Sequence, residues 1–65
     1  MLRTPHPPYQ VGEIADVVRR MRHTLNDAQQ GKISPEAARE LIHAAHDEAA
    51  RRLRENLAHF ERLLP

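Results

Sequence analysis

The chain has 65 residues and no cysteine, with ten Lys and Arg against nine Asp and Glu. Chains below roughly 70–80 residues usually need a disulfide, a metal or a second subunit for stability. The composition excludes disulfides and thiolate metal sites. A net charge of +1 also lacks the basic excess that is typical of dedicated nucleic-acid binders.

Hydropathy and composition also bear on location. No segment approaches the ~20 apolar residues of a membrane-spanning helix, and the prolines near the amino terminus exclude the apolar region of a signal peptide. The lack of cysteine fits a reducing compartment. Together with the richness in arginine and alanine, these features predict a cytoplasmic, bacterial protein that does not bind membranes.

Residues 1–10 are predicted to form a proline-rich, extended arm. Pro5, Pro7 and Pro8 each fix their own φ and push the preceding residue toward extended conformations. The arm has two expected positions. Tyr9 and the prolines fold back onto Leu57 and Phe60, or they leave that surface to a partner chain.

A first helix is predicted over about residues 11–30. Its apolar residues recur at spacings of three and four, which is the heptad pattern of a packed helix. They are Val11, Ile14, Val18, Met21, Leu25 and Ala28. Gly31 follows in the position where a helix ends with a left-handed residue.

A second helix is predicted over residues 35–63, with Ser34 as its N-cap and Pro35 in the first turn. Its apolar stripe is Ala38, Ile42, Ala45, Ala49, Leu53, Leu57, Phe60 and Leu64. The short link between the helices makes them antiparallel. The predicted fold class is therefore all-α, with one helical hairpin over residues 11–64.

The hairpin carries more apolar surface than two helices bury against each other. The second helix overhangs the first at its carboxyl end, and Val17 and Leu41 flank the two stripes. We therefore expect a homodimeric four-helix bundle, or a larger protein partner that covers the same surface. The residues expected to make this contact are Val17, Leu41, Leu53, Leu57, Phe60 and Leu64.

These features predict a small non-catalytic protein–protein interaction module: an adaptor, a regulatory protein or a chaperone-like protein. Catalysis is not expected, because the chain has no glycine-rich phosphate loop and no nucleophile with a partner base. No cofactor and no small-molecule substrate are expected either. His43, His46 and Asp47 have a metal-compatible helical spacing, but a zinc site needs three or four convergent ligands, and we expect no metal.

Arginine clusters provide the alternative function, a nucleic-acid-binding hairpin dimer. The arginines concerned are Arg19, Arg20, Arg22, Arg51, Arg52 and Arg54. Acidic residues stand one helical turn from several of them, as in Glu48 with Arg52 and Arg51 with Glu55. This pairing favours a charged surface over phosphate binding.

The segment from Gly31 to Glu36 resembles the turn of short helical-hairpin oligomerisation modules. The layout is similar to small helical-hairpin chaperones of secretion systems and to plasmid-type RNA-binding hairpin dimers. Because any helix–loop–helix selects this turn chemistry, the resemblance implies no functional residue.

Overall fold

The computed structural model describes residues 6–65, which contain two helices and no strand. Helix α1 spans Val11–Gln29 and helix α2 spans Pro35–Leu63. The predicted all-α helical hairpin is therefore confirmed, with α1 ending one residue earlier than expected. Residues 6–10 form neither helix nor strand. The rest of the predicted arm, Pro5 included, lies outside the described residues.

Both helices begin with a local hydrogen bond that the sequence supplies. The Gln10 backbone N–H donates to Glu13 Oε2 at 2.7 Å, which ties the residue before α1 to its first turn. At the start of α2, the Ala37 N–H donates to Ser34 Oγ at 3.1 Å, and Pro35 occupies the first turn. These contacts satisfy backbone groups that have no partner within a helix.

The turn between the helices depends on Gly31, whose φ is +76°. Its N–H donates to the Ala28 carbonyl at 3.1 Å, and the Lys32 N–H donates to the Asp27 carbonyl at 2.8 Å. This pair of hydrogen bonds is the Schellman motif, which ends a helix at a left-handed residue. The predicted left-handed glycine is confirmed.

The seam between the helices differs from the predicted one in α1. Val17, expected to flank the stripe, has no exposed surface, whereas Val18, expected in the seam, is 51% exposed. The prediction for Val17 is therefore wrong: it lies in the hairpin seam and presents no surface to a partner. The contact with α2 covers only part of the width of the α1 stripe. Residues on one edge of the stripe therefore pack against α2, and residues on the other edge face outward.

Only Val17 and Ala38 are buried apolar residues within residues 6–65. The Cα atoms span 55 × 16 × 10 Å with a radius of gyration of 15.9 Å, against about 11 Å for a compact domain of this length. The hairpin is thus a single layer of two helices. Neither described helix combines the length and the apolarity that a membrane crossing requires.

Candidate interaction surface

One broad side of the hairpin, which we call the apolar face, carries the outward edges of both stripes. Separations of three, four and seven residues keep these side chains on one side of each helix. In the second helix the face continues past the start of α1. Its large members are Val11, Ile14, Val18 and Leu25 of the first helix, and Leu53, Leu57 and Phe60 of the second.

At the end that holds the chain termini, the apolar face forms a groove of about 490 Å³. Ile14 of α1 lines it from one side, and Leu53, Leu57 and Phe60 line it from the other. Leu57 is 58% exposed and Phe60 is 45% exposed. The hairpin thus leaves about half of each of these two large apolar side chains uncovered.

At the turn end, the same face contains a shallower hollow. Leu25, Ala28, Ala38 and Ile42 supply its apolar lining, and His43 stands at its edge. A neighbouring depression shares Ile42 and His43 and is bounded by Met21 and His46. Two alanines thus stand among larger side chains at the turn end, whereas the groove at the end with the termini is lined mainly by large apolar side chains.

The ionisable side chains that line the depressions of the apolar face are arginine and histidine only. Arg39, His43 and His46 line its turn half, and no Asp or Glu lines any of the three depressions just described. Arg22 stands four residues after Val18 and three before Leu25, so it shares their side of α1. Any molecule seated on the turn half therefore meets cationic and imidazole groups beside apolar ones.

Among the predicted contact residues, Leu53, Leu57 and Phe60 lie on the apolar face, and Leu64 follows the end of α2. Leu41 does not lie on the apolar face: it is 54% exposed, but it borders a depression on the opposite side of the seam, beside Arg20, Thr24 and Glu48. The structure thus brings three of the six predicted residues to one surface and leaves Val17 and Leu41 elsewhere.

The opposite side of the hairpin, which we call the charged face, is centred on Glu48. Its Oε2 accepts a hydrogen bond from Arg20 Nη2 at 2.7 Å, and its Oε1 accepts one from Arg52 Nη2, also at 2.7 Å. The hydrogen bond from Arg20, reinforced by the charge of Arg52, lowers the pKa of Glu48. Arg52 Nη1 also donates to the Glu13 carbonyl at 3.1 Å, so the charged face links α1 to α2.

Tyr9 is fixed to α2 by Asn56, which is 9% exposed. The Tyr9 N–H donates to Asn56 Oδ1 at 3.1 Å, and Asn56 Nδ2 donates to the Tyr9 carbonyl at 2.9 Å. The Arg52 guanidinium carbon lies 5.2 Å from the centre of the tyrosine ring, within cation–π range. Of the two alternatives for the arm, the one that places Tyr9 on Leu57 and Phe60 is therefore wrong for Tyr9, because these contacts hold it beside Asn56 and Arg52.

The Tyr9 hydroxyl completes this attachment. It accepts a hydrogen bond from Arg51 Nη1 at 3.4 Å, and the same nitrogen donates to Glu55 Oε1 at 3.2 Å. Hydrogen bonding to the Tyr9 hydroxyl, followed by the charge of Arg51, lowers the pKa of Glu55. The Tyr9 hydroxyl and Glu55 in turn raise the pKa of Arg51.

Asn56 is the structural residue that the sequence reasoning missed. It stands seven residues after Ala49 and three after Leu53, at a position of the α2 stripe where an apolar residue is expected. A polar residue at a stripe position needs a hydrogen-bond partner when it is buried. A polar residue at an apolar position of the α2 stripe was therefore the signal in the sequence for a buried hydrogen bond, although it could not identify Tyr9 as the partner.

Most of the arginines considered for nucleic-acid binding contact carboxylates. Arg19 pairs with Asp16, Arg20 and Arg52 with Glu48, and Arg51 with Glu55. Within residues 6–65, Arg22 and Arg54 make no ion pair. The six arginines therefore do not form one unpaired cationic patch.

The histidines do not assemble a metal site in the part of the chain that the structure describes. No three His, Asp or Glu side chains there are placed to hold an ion. His46 Nδ1 lies 3.5 Å from Asp47 Oδ1, and His43 lines the hollow at the turn end.

Comparisons with protein-family models, with curated proteins and with solved structures found no match for this chain. The apolar face is therefore the feature from which function is inferred.

Proposed function

We propose that this protein is a non-catalytic protein–protein interaction module that acts through the apolar face by helix-to-helix packing. An adaptor, a regulatory protein or a chaperone-like protein in the cytoplasm would work in this way. The same face makes the hairpin one half of a homodimeric four-helix bundle, in which a second layer of helices supplies the interior that one layer lacks.

The distribution of apolar surface carries this proposal. Within residues 6–65 the hairpin buries only Val17 and Ala38 among its apolar residues, while Leu57 and Phe60 stay about half exposed. Fully burying one such side chain contributes about 1.5–3 kcal/mol. Contiguous apolar surface beyond a few hundred Å² is characteristic of interaction sites in proteins. Covering the apolar face therefore offers stabilisation that the seam alone does not provide.

Nucleic-acid binding through the six arginines is the alternative. It requires cations free to contact phosphates, whereas Arg20 and Arg52 share Glu48, and Arg51 contacts Glu55. Phosphate contacts would make the affinity fall steeply with salt. A gel-shift titration at two salt concentrations separates this alternative from an apolar interface.

Leu57 and Leu41 form a matched pair for testing the proposal. Both are leucines of α2, and they are 58% and 54% exposed, but only Leu57 lies on the apolar face. We expect Leu57→Ser to lower both the association constant and the melting temperature, because it removes buried interface. Leu41→Ser should change neither by a comparable amount. Sedimentation equilibrium and circular dichroism measure the two quantities.

One result would contradict the proposal. If the wild-type chain is a stable monomer at micromolar concentration, and Leu57→Ser and Leu41→Ser change the melting temperature equally, the apolar face is not a protein–protein interface.

A further inference from the structure

We propose that the occupant of the apolar face is a second copy of this chain, with the turns of the two hairpins at opposite ends of the bundle. This inference rests on the proposed function and specifies the partner and its orientation. Three independent features favour it: the symmetry of the α1 stripe, the overhang of α2, and the position of the cationic groups.

The outward stripe of α1 is symmetric about Val18. Val11 and Leu25 each stand seven residues from it, and Ile14 and Met21 stand four residues before it and three after it. When two α1 helices pack antiparallel with Val18 at the centre, Val11 of one copy meets Leu25 of the other. Ile14 likewise meets Met21. Every large apolar position of α1 then faces another apolar position, as antiparallel helix packing requires.

The overhang of α2 sets the second constraint. α2 has 29 residues and α1 has 19, so Leu57 and Phe60 stand near or beyond the level at which α1 begins. If the two turns lay at the same end, each α2 would pack over the α1 of the other copy. That helix also stops at Val11 and leaves the overhang uncovered. With the turns at opposite ends, the turn half of the second copy lies over it, and the hollow lined by Leu25 and Ile42 faces Phe60.

Charge gives the third constraint. Arg39, His43 and His46 line the turn half of the apolar face. With the turns at opposite ends and Val18 of both copies at the centre, Arg39 comes to the level of the carboxyl half of the other α2, within about one helical turn of Glu61. Opposite charges at that distance attract, whereas turns at the same end would place Arg39 beside the α1 of the other copy.

The size of the surface is sufficient for a stable dimer. The 29 residues of α2 give a length of ~43 Å at 1.5 Å per residue, and the hairpin is 16 Å wide at its Cα atoms. Because α1, with 19 residues, accompanies α2 over only ~28 Å, the face offers roughly 600 Å² per copy, the lower end of the range for a standard specific interface.

Spin labels test both the partner and its orientation. The chain has no cysteine, so Lys32→Cys places one label at the turn and Asp47→Cys places one near the middle of α2, on exposed positions. With turns at opposite ends, we expect pulsed dipolar spectroscopy to give a Lys32→Cys distance of about 40 Å. The Asp47→Cys distance should be about 20–30 Å, because the dimer axis passes near that level. Adding Leu57→Ser to the Lys32→Cys variant should remove the long distance.

The other outcomes overturn the inference in distinguishable ways. A Lys32→Cys distance below about 25 Å would mean that the turns lie at the same end, which contradicts the orientation but leaves self-association through the apolar face intact. If neither label shows a dipolar interaction and the mass is that of a monomer, a second copy is not the occupant. In that case, a larger loss of melting temperature in Leu57→Ser than in Leu41→Ser supports the proposed function. Equal melting temperatures in the two variants contradict it.

Discussion

At the scale of single residues, Asn56 decides how the segment before α1 is held. Its side chain satisfies both the N–H and the carbonyl of Tyr9. We expect Asn56→Ala to lower the free energy of unfolding by about 1–3 kcal/mol, because it leaves two backbone groups without partners. Urea denaturation measures the change. Asn26→Ala, at an exposed position of α1, is the control and should have little effect; an equal loss in both variants would contradict the role of Asn56.

Glu48 makes stability depend on pH, also through a single side chain. Because the hydrogen bond from Arg20 puts its folded-state pKa below the ordinary value of 4.5, the unfolded chain takes up the proton more readily. The contribution of Glu48 is therefore fully present above about pH 5 and is lost as the pH falls through the folded-state pKa. Glu55 acts in the same direction.

We expect the Glu48→Gln variant to lose less stability than the wild-type protein between pH 7 and pH 3, measured as the free energy of unfolding in urea. Glu40→Gln is the control, because Glu40 is exposed and makes no ion pair within residues 6–65. If both variants retain the wild-type pH dependence, the contact between Arg20 and Glu48 does not contribute to stability.

At the scale of elements, the two glycines have opposite roles. Gly31 has φ +76° at the end of α1, whereas Gly12 lies inside the first turns of α1, and neither has an atom within 4 Å of an added Cβ. Gly31→Ala should therefore destabilise the protein by ~1–2 kcal/mol through backbone strain alone. Gly12→Ala should stabilise it by up to ~1 kcal/mol. Thermal denaturation of both variants checks the signs, and shifts in the same direction would contradict this assignment.

The elements that the sequence predicted well are those with local causes. Ser34, Pro35 and Gly31 act on neighbouring backbone groups, so the ends of the helices and the turn could be predicted from adjacent residues. The residues of the seam could not be predicted, because a heptad pattern identifies an apolar stripe but not which of its edges packs inward. Val17, expected beside the stripe, is buried in the seam, and Val18, expected in the seam, is exposed. The contact of Tyr9 with Asn56, 47 positions apart in the chain, depends on the register of the whole hairpin.

At the scale of the whole molecule, folding and association are expected to be coupled. In the proposed dimer, a layer one helix thick with so little buried apolar surface gains the interior that it lacks alone. The melting temperature should therefore rise by several degrees between about 2 and 200 µM, since a stability change of 1 kcal/mol shifts a domain of this size by ~4–8 °C. Circular dichroism at the two concentrations measures this rise. Leu57→Ser should abolish it, and a wild-type melting temperature independent of concentration would contradict the coupling.

The attachment of Tyr9 also determines where foreign material can be fused without harm. The polypeptide enters α1 from the side of Arg51 and Arg52, away from Leu57 and Phe60. In the proposed bundle, Tyr9 therefore lies on the exterior. We expect a purification tag or a fluorescent protein joined upstream of it to leave the packing surface clear, so that tagged and untagged chains are suited to subunit-exchange assays.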